Sequence, residues 1–323
     1  LNKNLLELLA CPECGSANLD LLSDPDKIGV ACPSCAARYS IVNGIPLMLP
    51  AHLAATLQQK NAHLERLRAE MRREKDVMNP GNPEIDRFMW EHHLYNWGKV
   101  VIYSDSRAAG IFSSYAEKGA RDLCRFLQQR VGGVHGKSLL YVGSGNDRLV
   151  SLPLEQEGAF MVNFDIVSDS LEDLRRAGAQ SCVCGDVRRL PFRAEVFDVV
   201  FSKGSVHHSH PVAEPLLAMA RLVKRGGHII VAEPSKYMLS RLPRFLLPAG
   251  LGYPTPYEDA ISAGEVVSIL AKEGISRFQI ATLTHAPPGI PAPIARLWEG
   301  FGKAMPWLFN RFAFEFMVYG QKI

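Results

Sequence analysis

The sequence holds no run of eighteen apolar residues, so no membrane-spanning helix is expected. Its first stretch, LNKNLLELLACPEC, is too short in apolar residues for a secretory signal. An excess of one charge is lacking as well: 36 Lys and Arg stand against 33 Asp and Glu, a formal net charge of +3. That balance neither demands nor excludes a nucleic-acid partner. Cysteine is sparse, seven in 323 residues. An odd count without a signal argues against a disulfide framework, and for metal binding in a reducing cytoplasm. Hydrophobic content of 47% and charged content of 21% fit an ordinary globular protein, and the length allows two domains.

Four of the cysteines form two C-P-x-C pairs, Cys11 with Cys14 and Cys32 with Cys35. In each, a tight turn can bring two thiolates onto one metal, and two such knuckles close a tetrahedral site. Seventeen residues separate Cys14 from Cys32, inside the usual window. Zinc is the expected ion. Four thiolates fill its coordination, so the site is expected to be structural. The bland alternative is two unrelated cysteine pairs in a core. Cys124, Cys182 and Cys184 have no metal spacing among themselves. A short helix, LNKNLLELLA, leads in, and RYSIVNGIPLMLP follows the second knuckle. LLELLACPEC, CPSC and YSIVNGIPLML together resemble the small zinc-ribbon activator subunit of tRNA, rRNA and protein methyltransferases, over residues 1–50. The four-cysteine ribbon is also similar to that of the bacterial 23S rRNA guanine methyltransferases.

Residues 51–115 read as a helical connector. HLERLRAEMRREK interleaves both charges, which suits a solvated helix face or a contact with phosphate or a partner. NPGNPE breaks the helix. FMWEHHLYNWGKVVIY is dense in aromatics. It either packs the connector onto the next domain or forms a lid carrying Trp90, His93, Tyr95 and Trp97.

Residues 116–323 carry the chemistry. Leu139–Val142 is a short apolar run ending in Gly143-Ser144-Gly145, as a buried parallel strand running into a turn that a ligand approaches closely. Asp165 closes the next apolar run, twenty residues after Gly145, where an acid can bond a ribose hydroxyl. Asp186 closes CVCGD, and Asp198 lies in FDVVFS; both are assigned to the same site. Strands are predicted at 138–142, 160–164, 181–184, 197–202 and 227–232, with helices at about 147–157, 170–177 and 212–224. That alternation implies an α/β fold with a doubly wound parallel sheet and a ligand at the carboxyl ends of its strands.

GSG, FDIVSDSLEDLRRAG, GDVRRLPFRAEVFDVVFSKGSVHH and LVKRGGHIIVAEP, in that order, resemble the class I S-adenosylmethionine-dependent methyltransferases of the type 11 kind. The resemblance implies a Rossmann-like sheet and S-adenosylmethionine as cofactor. Gly143, Ser144 and Gly145 would pass under its methionine part, Asp165 would hold the ribose and Ile166 would lie against the adenine. Asp186, with Val187 beside it, would accept from the adenine amino group, and Ser202 and Lys203 would border the sulfonium. Two departures stand out. Tyr141 replaces the acid two residues before the first glycine, and Asp147 replaces the third glycine and is a candidate for the missing acid.

Methyl transfer to a hydroxyl needs positioning and a base. His207 and His208 are the base candidates, with a structural histidine as the alternative, and Glu233 is a candidate for orienting substrate. No N-P-P-Y motif follows the fourth strand, which argues against methylation of a base's exocyclic amine. The apolar, proline-rich segments at about 235–275 and 285–312 read as caps over an acceptor or as core packing. The leading expectation is methyl transfer to a small-molecule or lipid-like acceptor, a hydroxyl preferred. The alternatives are an RNA methyltransferase that reads RNA through the ribbon, and a non-catalytic scaffold with a degenerate cofactor turn. Oligomeric state stays open.

Overall fold

The computed structural model describes residues 2–24, 27–56, 84–85, 87–88, 91–92, 106–239, 261–284, 292–305 and 313–323. Trp90, His93, Tyr95 and Trp97, the charged run at 63–75 and much of both apolar segments lie outside these residues.

The ribbon begins with a helix at Lys3–Leu8, whose N-cap Asn2 side chain accepts from the Asn4 amide. Four strands follow, β1 (Asp20–Asp24), β2 (Lys27–Ala31), β3 (Arg38–Val42) and β4 (Ile45–Met48), paired antiparallel in order. Asn43 and Gly44, both at positive φ, turn β3 into β4. The two knuckles are built alike. The Cys11 carbonyl accepts from Gly15 N at 2.8 Å and the Cys32 carbonyl from Ala36 N at 2.8 Å. The residue after each second cysteine sits in the left-handed region, Gly15 at φ 73° and Ala36 at φ 61°.

The larger sheet holds β5 (Ser138–Val142), β6 (Phe160–Asp165), β7 (Ser181–Gly185), β8 (Phe197–Lys203), β9 (Val223–Pro234), β10 (Ile275–Thr284) and β11 (Glu315–Lys322). Their spatial order is β7-β6-β5-β8-β9-β11-β10. The first five run parallel, as expected, and β11 enters antiparallel between β9 and β10. The strand order reverses between β5 and β8, which is where such sheets open a crevice for ligands. β9 starts at Val223, earlier than 227, because Val223 pairs with Phe197 across a bulge. The helix before β5 spans Ser106–Val131, so it begins inside the stretch read as connector.

β5 is buried on both faces. Leu139 and Tyr141 pack with Leu123, Leu127 and Phe201 under the Ser106–Val131 helix, while Leu140 and Val142 pack with Val200, Ile229 and Met219 on the other side. Alternate residues thus feed two cores, which is why the strand reads as a continuous apolar run.

The ribbon does not stand apart. β4 pairs parallel with β7, Leu47 opposite Cys184 and Met48 opposite Gly185, so one eleven-stranded sheet runs through the described chain. A side chain on Gly185 would meet the Phe164 ring at 2.8 Å. Leu9 bridges to Phe192, and the Phe192 ring lies edge-on to Phe164 and Phe197. Leu5, Leu9, Val30, Tyr39 and Met48 belong to the same apolar core as Phe164 and Phe197. The edge of the sheet, a liability when bare, is covered by the ribbon's last strand.

Candidate active site

A cavity of about 320 Å³ opens at the carboxyl ends of β5, β6 and β8. Gly143 and Gly145 form its floor, and Asp165, Ile166 and Val187 line it further along the sheet. Gly143 is at φ 66°, and a Cβ there would lie 2.1 Å from that of Ser205. The Ser205 hydroxyl donates to the Val142 carbonyl at 3.0 Å. The loop after β8 therefore closes directly onto the glycine turn, and only glycine permits it.

Asp165 sits at the end of β6. One carboxylate oxygen accepts from Gly145 N and the other from Val167 N, each at 2.8 Å. Burial pushes its pKa up to about 6, against the pull of those two amides.

Asp186 is placed differently from the expectation. It is buried, and its oxygens are taken by Arg188, at 2.7 Å, and by Arg87, at 2.5 Å. Burial opposes its charge, but the guanidiniums of Arg188 and Arg87 outweigh burial and hold the carboxyl down to about 2. Val187 lines the cavity beside it. Asp198 does not join the site. It is the second residue of β8, at the opposite end of the sheet, where it accepts from the Ser138 amide and hydroxyl and pairs with Lys224 at 2.9 Å. An acid near the start of a strand cannot reach a ligand at its end.

Tyr141 is buried and stacked on Phe201, with ring centroids 4.5 Å apart. Its hydroxyl donates to Asp147 at 3.0 Å, and Lys203 lies 3.8 Å from the same carboxylate. Burial, with Asp147 next to it, raises the phenol's pKa well above the ordinary value, so it remains a donor. Ser144 is buried, its amide bonded to the Phe164 carbonyl. Ser202 is fully buried, and its hydroxyl has no partner among the described residues.

The histidine pair divides. His208 lines the cavity. His207 lies behind it, their ring centroids 4.2 Å apart, and its Nδ1 is 2.6 Å from Glu233. Glu233 is wholly buried, and its other oxygen accepts from the amides of Ser205 and Val206 at 3.2 and 3.1 Å. Both oxygens of Glu233 are thus occupied in holding the loop after β8.

Arg87 and Glu91 complete the wall. Sequence reading assigned neither to the site, because their partners are about a hundred residues away. Arg87 is buried, donates to Ser209 at 3.1 Å, and keeps a buried Nε without a hydrogen-bond partner among the described residues. Glu91 Oε1 lies 3.4 Å from His208 Nδ1. Glu84 adds a third tie, to Arg188 at 2.7 Å and to His52 at 2.7 Å.

Residues 140–231 match the model of a methyltransferase domain family. The structure agrees with a methyltransferase of Thermotoga maritima that uses S-adenosylmethionine at a TM-score of 0.50, 14% identity, 72% of this chain and all of that one. It agrees at the same score with the complex of the Haloferax volcanii Trm112 methyltransferase activator and a protein assigned as a methyltransferase, at 16% identity over 71% of this chain and 97% of that one. These likenesses carry the Rossmann-like fold. The chain is 27% identical to the biotin biosynthesis bifunctional protein BioHC of Cellvibrio japonicus over 148 residues, 45% of this chain and 29% of that protein. A protein of Encephalitozoon cuniculi assigned as a methyltransferase is 34% identical over 96 residues, 29% of this chain and 43% of its own length. The chain therefore spans less than half the length of these curated relatives.

The four knuckle sulfurs lie within 4.8 Å of one another, Cys11 to Cys35 and Cys14 to Cys32 at 3.6 Å. A tetrahedral zinc site with bonds of about 2.3 Å needs sulfurs ~3.8 Å apart, so the donor set fits. The Tyr39 hydroxyl is 3.1 Å from Cys11 Sγ, a supporting partner for one thiolate.

Proposed function

We propose that the chain is an S-adenosylmethionine-dependent methyltransferase acting on a small-molecule or lipid-like acceptor, a hydroxyl by preference. The observation that carries this reading is the cavity at the strand ends, where Gly143, Gly145, Asp165, Ile166 and Val187 converge in the domain that matches the family. The cofactor supplies a methyl group on a sulfonium, already joined to a good leaving group. The Asp165 carboxylate would accept from ribose hydroxyls, and Ile166 and Val187 would flank the adenine. Arg87 lines the cavity, and its buried Nε, without a hydrogen-bond partner among the described residues, is the kind of atom a bound polar ligand satisfies. Asp147 and Lys203 stand side by side next to the glycine turn. Their opposite charges would suit an amino acid's ammonium and carboxylate, with Asp147 in the role that Tyr141 vacates. Asp186 contributes by clasping Arg87 rather than by meeting the adenine directly.

At the acceptor end, His208 would take the hydroxyl proton, and Glu233 with His207 would fix the loop that presents it. The ribbon, with zinc in its four thiolates, would serve the fold by covering the β7 edge; metal-bound thiolates of this kind suit a reducing cytoplasm. No described helix is long and apolar enough to cross a membrane.

The reading is tested with methyl-labelled cofactor against a fractionated metabolite and lipid extract and, separately, total RNA. Label is expected in a small-molecule or lipid product. Transfer into RNA would move the ribbon to the role of RNA reader, and the absence of cofactor binding would leave a scaffold.

A further inference from the structure

The connector brings two charged side chains to the cavity, one helical turn apart. Arg87 reaches Asp186 and Ser209, and Glu91 reaches His208. Phe88 and His92, between and after them, are fully buried, and Phe88 packs with Leu171, Leu174 and Cys182 against the far side of the sheet. The segment is therefore anchored by apolar burial on one side and aimed by charge on the other. Glu91 Oε1 is buried, accepts no hydrogen bond among the described residues, and lies 3.4 Å from His208 Nδ1. Burial works against the Glu91 charge, yet His208 and then Arg87 bring its pKa below the ordinary carboxylate value.

We propose that Glu91 is a positioning residue for methyl transfer, holding His208 with Nδ1 protonated so that Nε2 is the atom that receives the acceptor's proton. The proposal rests on the methyltransferase reading above. In the step it serves, an oxygen lone pair of the acceptor bonds the methyl carbon while the carbon–sulfur bonding pair leaves with the cofactor's sulfur. The acceptor's proton passes to Nε2, and the imidazolium so formed faces the Glu91 carboxylate. Positive charge that leaves the sulfonium is thereby received beside a buried negative charge. The separation of 3.4 Å is longer than a good hydrogen bond, and such contacts tighten once substrates are bound.

Among the described residues, the charged groups around the His208 ring come from several elements. Glu91 and Arg87 belong to the connector, with Asp186 and Arg188 behind Arg87. Asp165 faces it from β6, and His207 stacks on it from its own turn, bound in turn to Glu233 of β9. Of these, Glu91 is the carboxylate in ion-pair contact with the ring; Asp165 acts from farther off, and the charge of Glu233 is directed at His207.

Nitrogen-15 spectra of the histidine rings test this without an acceptor, with His208→Gln assigning the His208 signals. In the wild-type protein the neutral ring is expected as the Nδ1–H tautomer, and a ring protonated at Nε2 would overturn the proposal. Glu91→Gln is expected to lower the His208 pKa by about 1 unit or more. An unchanged value in a folded variant would overturn it as well. The tautomer is read in the wild type, so the test survives if Glu91→Gln fails to fold. With an acceptor in hand, Glu91→Gln should reduce kcat and move the acid limb of the rate profile to lower pH. S-adenosylhomocysteine titration separates the two claims: no binding sinks the methyltransferase reading, whereas binding without His208–Glu91 coupling sinks only this inference.

Discussion

Single residues decide what the cleft can hold. Asp165 is the acid with the most to do, and its environment makes its charge fragile: burial pushes its pKa up to about 6. In the proposed site the ionised form would be the one to accept from a ribose. Cofactor affinity should therefore be full above pH 6 and fall as the pH drops through that value. In Asp165→Asn it should be weak and flat over the same range. A wild-type affinity independent of pH between 5 and 8, by calorimetry, would contradict this. A second residue tests the knuckle geometry. Ala36 holds the left-handed conformation that its counterpart Gly15 adopts freely. Ala36→Gly should stabilise the ribbon by roughly 1 kcal/mol, because a Cβ costs about that much in this region. Equal or lower stability in chemical denaturation would show that the loop does not bear that strain.

At the scale of elements, Arg87 and Glu91 on one side and strand β4 on the other attach to the larger sheet. Arg87→Ala would leave buried Asp186 with Arg188 alone. Breaking a buried ion pair costs about 3–5 kcal/mol, and the remaining arginine reduces that to about 1–3 kcal/mol. Urea unfolding should show the loss, and an unchanged midpoint would mean the clasp adds nothing. These attachments also mark where sequence reading stopped. The glycine turn, Asp165, the four cysteines and the alternating strands were legible because each is a local pattern: a period, a spacing, a residue type at a strand end. Asp198 misled because a strand shows its residues but not, at a glance, which end they occupy; FDVVFS puts the acid at the start. Asp186 directly follows β7, as its position in CVCGD suggests, but its partner Arg87 could not be weighed, since it is 99 residues away in sequence. The parallel pairing of Leu47 and Met48 with β7 leaves no trace in IPLM, because two residue pairs carry no periodicity. Arg87 and Glu91 did leave one signal, a helical spacing in RFMWE that puts both on one face.

At the largest scale, the described parts of the ribbon and of the larger sheet pack as one body. Leu9 touches Phe192, Phe192 touches Phe164, and Phe164 lines the cavity. Removing the metal should therefore do more than unfold residues 1–50. A strong chelator should lower a single cooperative melting transition and weaken cofactor binding with it, since the folding energy of a structural zinc site is lost to the whole core. Two separate transitions, with the upper one unmoved, would show independent domains. The cleft at the ends of β5, β6 and β8 is proposed as a cofactor site centred on Asp165. Calorimetric titration of S-adenosylhomocysteine into the full chain, beside Asp165→Ala, tests it most directly. The account predicts one site per chain and an affinity roughly ten- to over a hundredfold weaker in the variant, the loss of a charged hydrogen bond of about 1.5–3 kcal/mol. Absence of binding to the folded wild-type chain, or equal affinity in Asp165→Ala, would contradict it.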